Sequence, residues 1–344
     1  MKNGSAVAAF EREFAAYVGA KYAIALVNGT ATLHTALVAL GVKPGDRVAV
    51  PPLTMASTTI AVLHAGAVPA FCDVDERTWL MGGAGYSIPT IPVSLYGLHA
   101  QSGFSGRAID DAAQTLRPHN ILAEFTSYSF QASKILALGE GGVLVTNDEE
   151  LATKAREFSS LGYRMRADQP RIDPDAIKSP TFERHHSLGW NYRMNDITAA
   201  AGLDLFNMAV GGVGWTRSWP DELVRLRREA AQLYREAIAG CDWLVPQHVP
   251  DGWTHDYWTY AVVCDTPGVA LRLSDAIVRQ GGEQPYPAWR LTYDEPAFQP
   301  LFKQYKLCPV AESLQPRLLQ FQTNSIASAE KNAKALKRAI EELS

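Results

Sequence analysis

The order of apolar runs predicts an α/β fold: a mostly parallel sheet flanked by helices, followed by a smaller C-terminal α+β unit. Two observations carry this. Short apolar runs recur through the first half of the chain, at residues 23–27, 47–50, 67–72, 91–95, 108–110, 125–130 and 142–146, and helical or loop segments separate most of them. Strands of that kind, apolar throughout, belong to parallel sheets covered on both faces. Beyond residue 210 the pattern changes to amphipathic helices around few strands.

Taken in order, Phe10, Phe14 and Val18 recur at i, i+4 and i+8 and mark a helix that begins near residue 5 and docks on a core. The strand at 23–27 runs into Asn28-Gly29-Thr30, and a helical pattern over 31–40 stops at Gly41. Residues 163–186 are polar and proline-bearing and read as a long loop. A helix is expected over 195–206, a hinge or excursion over 211–220, and a charged amphipathic helix over 221–239. A strand at 257–264 and helices at 268–280 and 326–343 complete the smaller unit. At 344 residues the chain is long enough for two units, expected at 1–210 and 211–344.

Composition narrows the function. Hydrophobic residues make up 47% and charged residues 20%, and the net charge of -4 comes with no long run of either sign. Nucleic acid and anionic membrane are therefore not expected partners. The four cysteines form no CxxC pair, which argues against a zinc site or a disulfide framework. The start carries no signal-peptide core, and no later run is apolar for long enough to span a bilayer. The cytoplasm is the expected location.

In a parallel sheet, ligands sit outside the carboxyl ends of the strands. Asn28-Gly29-Thr30, Asp111 and Ser129 fall at such ends, and Lys134 follows in Ser129-Phe130-Gln131-Ala132-Ser133-Lys134. A lysine behind a serine-led strand end, with an aspartate closing an earlier strand, is the set that holds pyridoxal phosphate (PLP). The lysine forms the imine, the hydroxyl meets the phosphate, and the carboxylate keeps the pyridine nitrogen protonated so that the ring is an electron sink. Each residue also has a plainer role. Lysines are usually solvated, but Lys134 is followed by Ile135-Leu136-Ala137-Leu138, a setting that lowers its pKa and favours the free amine. Asp111 could cap a turn, and because it and its neighbour Asp110 alternate across the strand, either could be the one that points inward. Gly29, Thr30 and Ala31 open a helix, whose N–H groups and dipole suit a phosphate, although such a start is often only a cap. Adjacent His185 and His186 point apart on an extended segment, so no metal site is expected.

Four motifs now stand in order: Asn28-Gly29-Thr30-Ala31-Thr32-Leu33-His34, Asp111-Ala112-Ala113-Gln114, Ser129 to Lys134 with its Gly139-Glu140-Gly141-Gly142 tail, and Gly189-Trp190-Asn191-Tyr192-Arg193-Met194. Together they resemble the sugar aminotransferases of the DegT–StrS group, which have the fold-type I PLP architecture. The likeness is dense over about residues 10–201 and thinner afterwards. It implies an enzyme that moves an amino group from glutamate onto a nucleotide-linked keto sugar, here a 4-keto-6-deoxyhexose, for deoxyamino-sugar and polysaccharide biosynthesis. It implies Lys134 as the Schiff-base residue and proton shuttle, Asp111 as the pyridinium partner and Gln114 on the ring's phenolic oxygen. Gly29, Thr30, Ala31 and Ser129 would form the phosphate cup. Asn191 would reach the cofactor phosphate of a neighbouring subunit, making a homodimer with shared active sites the working unit. His185 would meet the sugar substrate; apart from the resemblance, Tyr286, Trp289 and Arg290 are candidates to meet the substrate's nucleotide, with solvent-facing or core roles as alternatives.

The chain departs from that pattern in places. Met55 stands where relatives have an aromatic residue stacking on the ring, and Ser94 where they often have histidine. The N-terminal segment and the connections over 80–90 and 97–106 are short, so that a sheet face must be exposed, sheltered by a partner subunit or covered otherwise. Other readings are a cyclitol or aminobenzoate-type PLP enzyme, a sugar dehydratase, against which Lys134 argues, and a non-catalytic sensor or scaffold.

Overall fold

The structure is a computed structural model that describes residues 6–82, 86–100, 107–117, 123–168, 175–210, 217–302 and 308–344. In chain order it runs through helix α1 (Ala6–Val18), strand β1 (Tyr22–Leu26), α2 (Gly29–Ala39), β2 (Arg47–Val50), α3 (Ser57–His64), β3 (Val68–Phe71), β4 (Ile109–Asp111), β5 (Phe125–Ser129), β6 (Gly142–Thr146), α4 (Glu149–Ser159) and α5 (Asp196–Asn207). The second part holds β7 (Ala209–Val210), β8 (Arg217–Ser218), α6 (Trp219–Ala237), β9 (Leu244–Pro246), β10 (Thr259–Cys264), α7 (Pro267–Arg279), β11 (Tyr286–Pro287), α8 (Gln299–Phe302), α9 (Pro309–Leu314), β12 (Leu318–Gln322) and α10 (Ile326–Leu343).

The first sheet has the order β1-β6-β5-β4, and β6 runs against both of its neighbours while β4 and β5 are parallel. Residues 90–93 carry the sheet on to the parallel pair β2-β3 through single bridges, Ala49 to Thr90, Thr90 to Ala108 and Val93 to Asp111. The strand expected at 91–95 is thus reduced to bridges. Pro89 and Pro92 flank and interrupt it, and each lacks the N–H that a ladder needs. Its end turns instead into the 3₁₀ segment Leu95–Gly97, where Tyr96 has φ 60°. Gly97 (φ 105°) admits no side chain, because a Cβ there would lie 2.7 Å from the backbone nitrogens of Tyr257 and Trp258.

Two apolar layers sandwich this sheet. On one face Leu33, Leu37 and Val62 from α2 and α3 pack against Ile24, Val48 and Ile109. On the other, Phe10 and Phe14 of α1 meet Tyr128, Phe130 and Phe206 edge to face at centroid distances of 5.1–5.9 Å. Fully burying each such ring contributes roughly 1.5–3 kcal/mol. Glu11 and Arg156, both buried, form a two-pronged ion pair at 2.9 and 3.0 Å; Arg156 also donates to the carbonyls of Ala23 and Ala167. The pair ties α1 to α4 with its polar atoms satisfied.

The second sheet is antiparallel, in the order β11-β12-β10-β9, and packs against α6, α7 and α10. Pro220, expected in a hinge, sits in the first turn of α6 beneath the Ser218 cap, where proline's missing N–H costs nothing. Residues 211–216 of the expected excursion lie outside the described residues. The helix spans both cores, with Val224 packed in the first and Ala230, Ala231 and Tyr234 in the second.

The short connections have a structural answer. Over β2, β3 and residues 93–98, a further cluster joins Leu53, Trp79, Leu95 and Leu98 to Leu291, Tyr293, Phe302, Leu314 and Leu318. Phe71 meets Tyr293 and Phe302 edge to face, at 5.2 Å each. That face is covered by the chain's own C-terminal part. Residues 83–85 and 101–106 of the connections lie outside the described residues.

Candidate active site

The carboxyl ends of β1, β4 and β5 open onto one cleft of about 410 Å³. Gly29, Thr30, Met55, Asp111, Gln114, Ser129 and Lys134 all line it, although they are spread over more than a hundred positions of sequence. Met55 stands half-exposed at its mouth, with its sulfur accepting from the Ser57 N–H at 3.1 Å.

At one end is a cradle. α2 begins directly after β1 under an Asn28 cap, and Asn28 Oδ1 accepts the Ala31 N–H at 2.9 Å. Ala31 is therefore not a free donor, contrary to expectation. The Gly29 and Thr30 N–H groups have no protein acceptor among the described residues. A Cβ on Gly29 would lie 2.9 Å from Ser129 Cβ, so only glycine leaves room between the helix start and the serine. Two open N–H groups at a helix start beside a hydroxyl suit a phosphate.

In the middle of the cleft lies Asp111, 4% exposed. Burial raises its pKa; against that, Thr58 Oγ1 donates at 2.8 Å and the Lys134 charge and the Ala113 N–H favour the ionised form. Asp110 faces away and accepts from Ser94 Oγ at 3.1 Å. Gln114 is oriented by its own acceptor: Oε1 takes the Tyr96 N–H at 2.5 Å, and its amide nitrogen is left as the group that can donate into the cleft.

Lys134 sits in the turn after β5, with its Nζ 4.9 Å from the centre of the Trp258 ring. Burial lowers its pKa and Asp111 opposes the shift. The Trp258 indole N–H donates to the Ser133 carbonyl at 2.7 Å, so the residue just before β10 braces the lysine's turn. A lysine with a depressed pKa facing a buried carboxylate, beside an anion cradle, is an arrangement for amine chemistry on a phosphorylated, nitrogen-bearing ring.

The remaining expected residues lie elsewhere. Tyr286 lines a neighbouring cavity, which also borders Ser133, Trp258 and Trp289. Asn191 and His185 do not line the cleft of their own chain; both are exposed, and His185 stacks on Tyr163 at 4.6 Å. Thr58 and Trp258 were missed in the sequence. Thr58 could have been sought on the helix that follows Met55; nothing local marks Trp258.

The sequence profile of the DegT/DnrJ/EryC1/StrS aminotransferase family matches residues 1–84 and 109–336. The chain belongs to this aminotransferase family. The unmatched stretch between the two blocks contains the short connection at 97–106. The chain is 31% identical over 298 residues to the spore coat polysaccharide biosynthesis protein SpsC of Bacillus subtilis, covering 80% of this chain and 73% of the relative. It is 32% identical over 281 residues to the GDP-perosamine synthase of Caulobacter vibrioides, covering 75% and 69%. Among solved structures, NtdA of Bacillus subtilis with bound cofactor PMP superimposes with a TM-score of 0.78 at 20% identity, over 98% of this chain and 78% of that one. That likeness establishes the fold. Among the described residues no group of three or more His, Cys, Asp and Glu side chains could hold a metal, and no helix is long and apolar enough to cross a membrane.

Proposed function

We propose that this aminotransferase carries PLP on Lys134 and moves an amino group from glutamate to a nucleotide-linked keto sugar, a 4-keto-6-deoxyhexose, for amino-sugar biosynthesis. The observation that carries the reading is the convergence of Lys134, buried Asp111 and the Gly29–Ser129 cradle on one cleft. The likeness to a GDP-perosamine synthase and to a spore coat polysaccharide biosynthesis protein supports the sugar class.

When bound, the coenzyme supplies an electron sink for the pair left behind as a proton departs. The protein does the rest. Gly29 and Thr30 N–H groups and the Ser129 hydroxyl would hold the phosphate, and Gln114 would donate to the phenolic oxygen. Asp111 would face the ring nitrogen and hold its proton there, with the Thr58 hydroxyl opposing the rise in pKa that burial imposes on the carboxyl. Met55, at the mouth of the cleft, would pack on the ring through its polarizable sulfur. Burial lowers the pKa of Lys134 and so favours its free amine; that amine would take the proton from the substrate's amine-bearing carbon and return it a step later. Fixing the ring at both ends keeps the scissile C–H aligned, which is the contribution of positioning to the rate.

The division into units at 1–210 and 211–344 belongs to the same proposal, since the second sheet is built wholly beyond residue 210. So does a homodimer with shared sites. Asn191 and His185 face out of their own chain on a segment that also exposes Leu188 (96%) and Trp190 (54%). A cytoplasmic location fits the four free cysteines.

The covalent linkage is tested by borohydride reduction and peptide mapping, with the label expected on Lys134; a label on another peptide, or none, sinks the reading. Glutamate with a panel of nucleotide-linked keto sugars and a cyclitol ketone then sorts the substrate class. Mixing inactive Lys134→Ala and Asn191→Ala chains should restore about a quarter to a half of wild-type activity if sites are shared, as one intact site forms per mixed dimer. Absence of rescue removes the shared site.

A further inference from the structure

A second cavity, of about 530 Å³, lies against the cofactor cleft and shares Ser133, Trp258 and Trp289 with it. Trp258 and Trp289 stack with ring centres 5.9 Å apart and planes 25° from parallel, and form the common wall. Arg227 of α6 lines this cavity, although the residue is only 6% exposed. Its Nη1 donates to the Trp258 carbonyl at 2.9 Å and to Thr323 Oγ1 at 3.1 Å. Both acceptors are uncharged.

No Asp or Glu lines the cavity, and burial alone moves the Arg227 pKa, down to about 10. The guanidinium therefore stays protonated at neutral pH, and among the described residues no carboxylate pairs with it. Arg156 provides the contrast: equally buried, it meets Glu11 with both prongs. A buried cation without an anion is costly, and Arg227 lines a cavity that adjoins the lysine's cleft. Trp258 links the two groups, with its ring 4.9 Å from Lys134 Nζ and its carbonyl bonded to Arg227.

We propose that Arg227 anchors a carboxylate of the amino donor in this second cavity while the donor's amino group reaches Lys134. The proposal rests on the aminotransferase reading with a dicarboxylic donor. One guanidinium balances one carboxylate and matches its two oxygens with a fork of donors. A diphosphate would bring more negative charge than the single cation offsets, and no lysine or second arginine lines the cavity.

Glutarate, which has both carboxylates and no amino group, is the probe. Its binding to the coenzyme-loaded protein is followed by calorimetry and by quenching of tryptophan fluorescence. Arg227→Met is expected to weaken glutarate binding and raise the KM for glutamate by about tenfold or more, with the KM for the keto sugar and the coenzyme absorbance unchanged. Arg227→Lys is expected to recover part of the loss. Gln322→Glu, on the same cavity wall, gives the guanidinium a carboxylate of its own and should expel glutarate while α6 is left intact. Unchanged glutarate binding in these variants overturns the proposal. Loss of uridine or guanosine diphosphate binding with glutarate unaffected overturns it too, by giving the charge to the nucleotide. A wild-type protein that glutamate aminates but glutarate never binds loses the anchor and keeps the aminotransferase reading. A coenzyme that answers to no amino donor at all sinks both.

Discussion

Thr58 Oγ1 donates to Asp111 Oδ2 at 2.8 Å, and Thr58 is fully buried. The hydroxyl orients the carboxylate and opposes the rise in pKa that burial imposes. Thr58→Val keeps the volume and deletes the donor, at about 1.5–3 kcal/mol for a hydrogen bond to a charged group. Ionisation of Asp111 should move to higher pH, and the coenzyme should dissociate about tenfold more readily at the acid end of its range. A pH titration of coenzyme absorbance checks this; an unmoved titration would remove Thr58 from the site.

Asp111 acts in turn on Lys134. Burial lowers the lysine's pKa and the aspartate raises it, so Asp111→Asn removes the opposing charge and the free amine should persist to lower pH. In coenzyme-free protein, an amine reagent followed by peptide mapping should half-label Lys134 at lower pH in the variant. A shift to higher pH would contradict the arrangement.

Asp256 anchors the loop that carries Gln114. It is fully buried, accepts from Leu116 and Arg117 N–H groups at 2.9 and 3.0 Å, and pairs with His99 at 2.9 Å. Burial alone would raise its pKa, but the His99 hydrogen bond and charge and the two N–H groups hold the carboxyl far below the usual range. A depressed carboxyl contributes stability in full above its unfolded pKa of about 3.9 and loses it as pH falls further. Asp256→Ala should destabilise by about 3–5 kcal/mol at neutral pH, and its deficit in denaturant melts should shrink below about pH 4.

Gly29→Ala would set a methyl against Ser129 Cβ. The expected outcome is a loss of coenzyme affinity of about tenfold or more, with a stability cost of about 1–3 kcal/mol. Equilibrium dialysis against PLP and a thermal melt separate the two effects.

The parts legible in the sequence are those whose meaning is local. Asn28-Gly29-Thr30 at a strand end and Lys134 behind Ser129 could be read from strand and helix geometry, while the family resemblance, through the spacing to Gln114, chose Asp111 over Asp110. α10 matched its periodic pattern at both ends. What escaped depends on distant contacts. Trp258 reaches the lysine's turn from 124 residues downstream, and no pattern around it predicts that. β9 and β11 have three and two residues, too few to show alternation. The strand expected at 91–95 failed because its prolines matter more than its apolar character. The Ala31 N–H was lost from the cradle because a cap three residues earlier competes for it.

The roof that Tyr293, Phe302 and Leu318 place over Phe71, Trp79 and Leu95 bears on how this chain can be taken apart. The face over β2 and β3 takes its apolar cover from the last third of the chain. Cutting the chain at residue 210 would give two pieces with raw apolar flanks, rather than a working catalytic half and a dispensable tail.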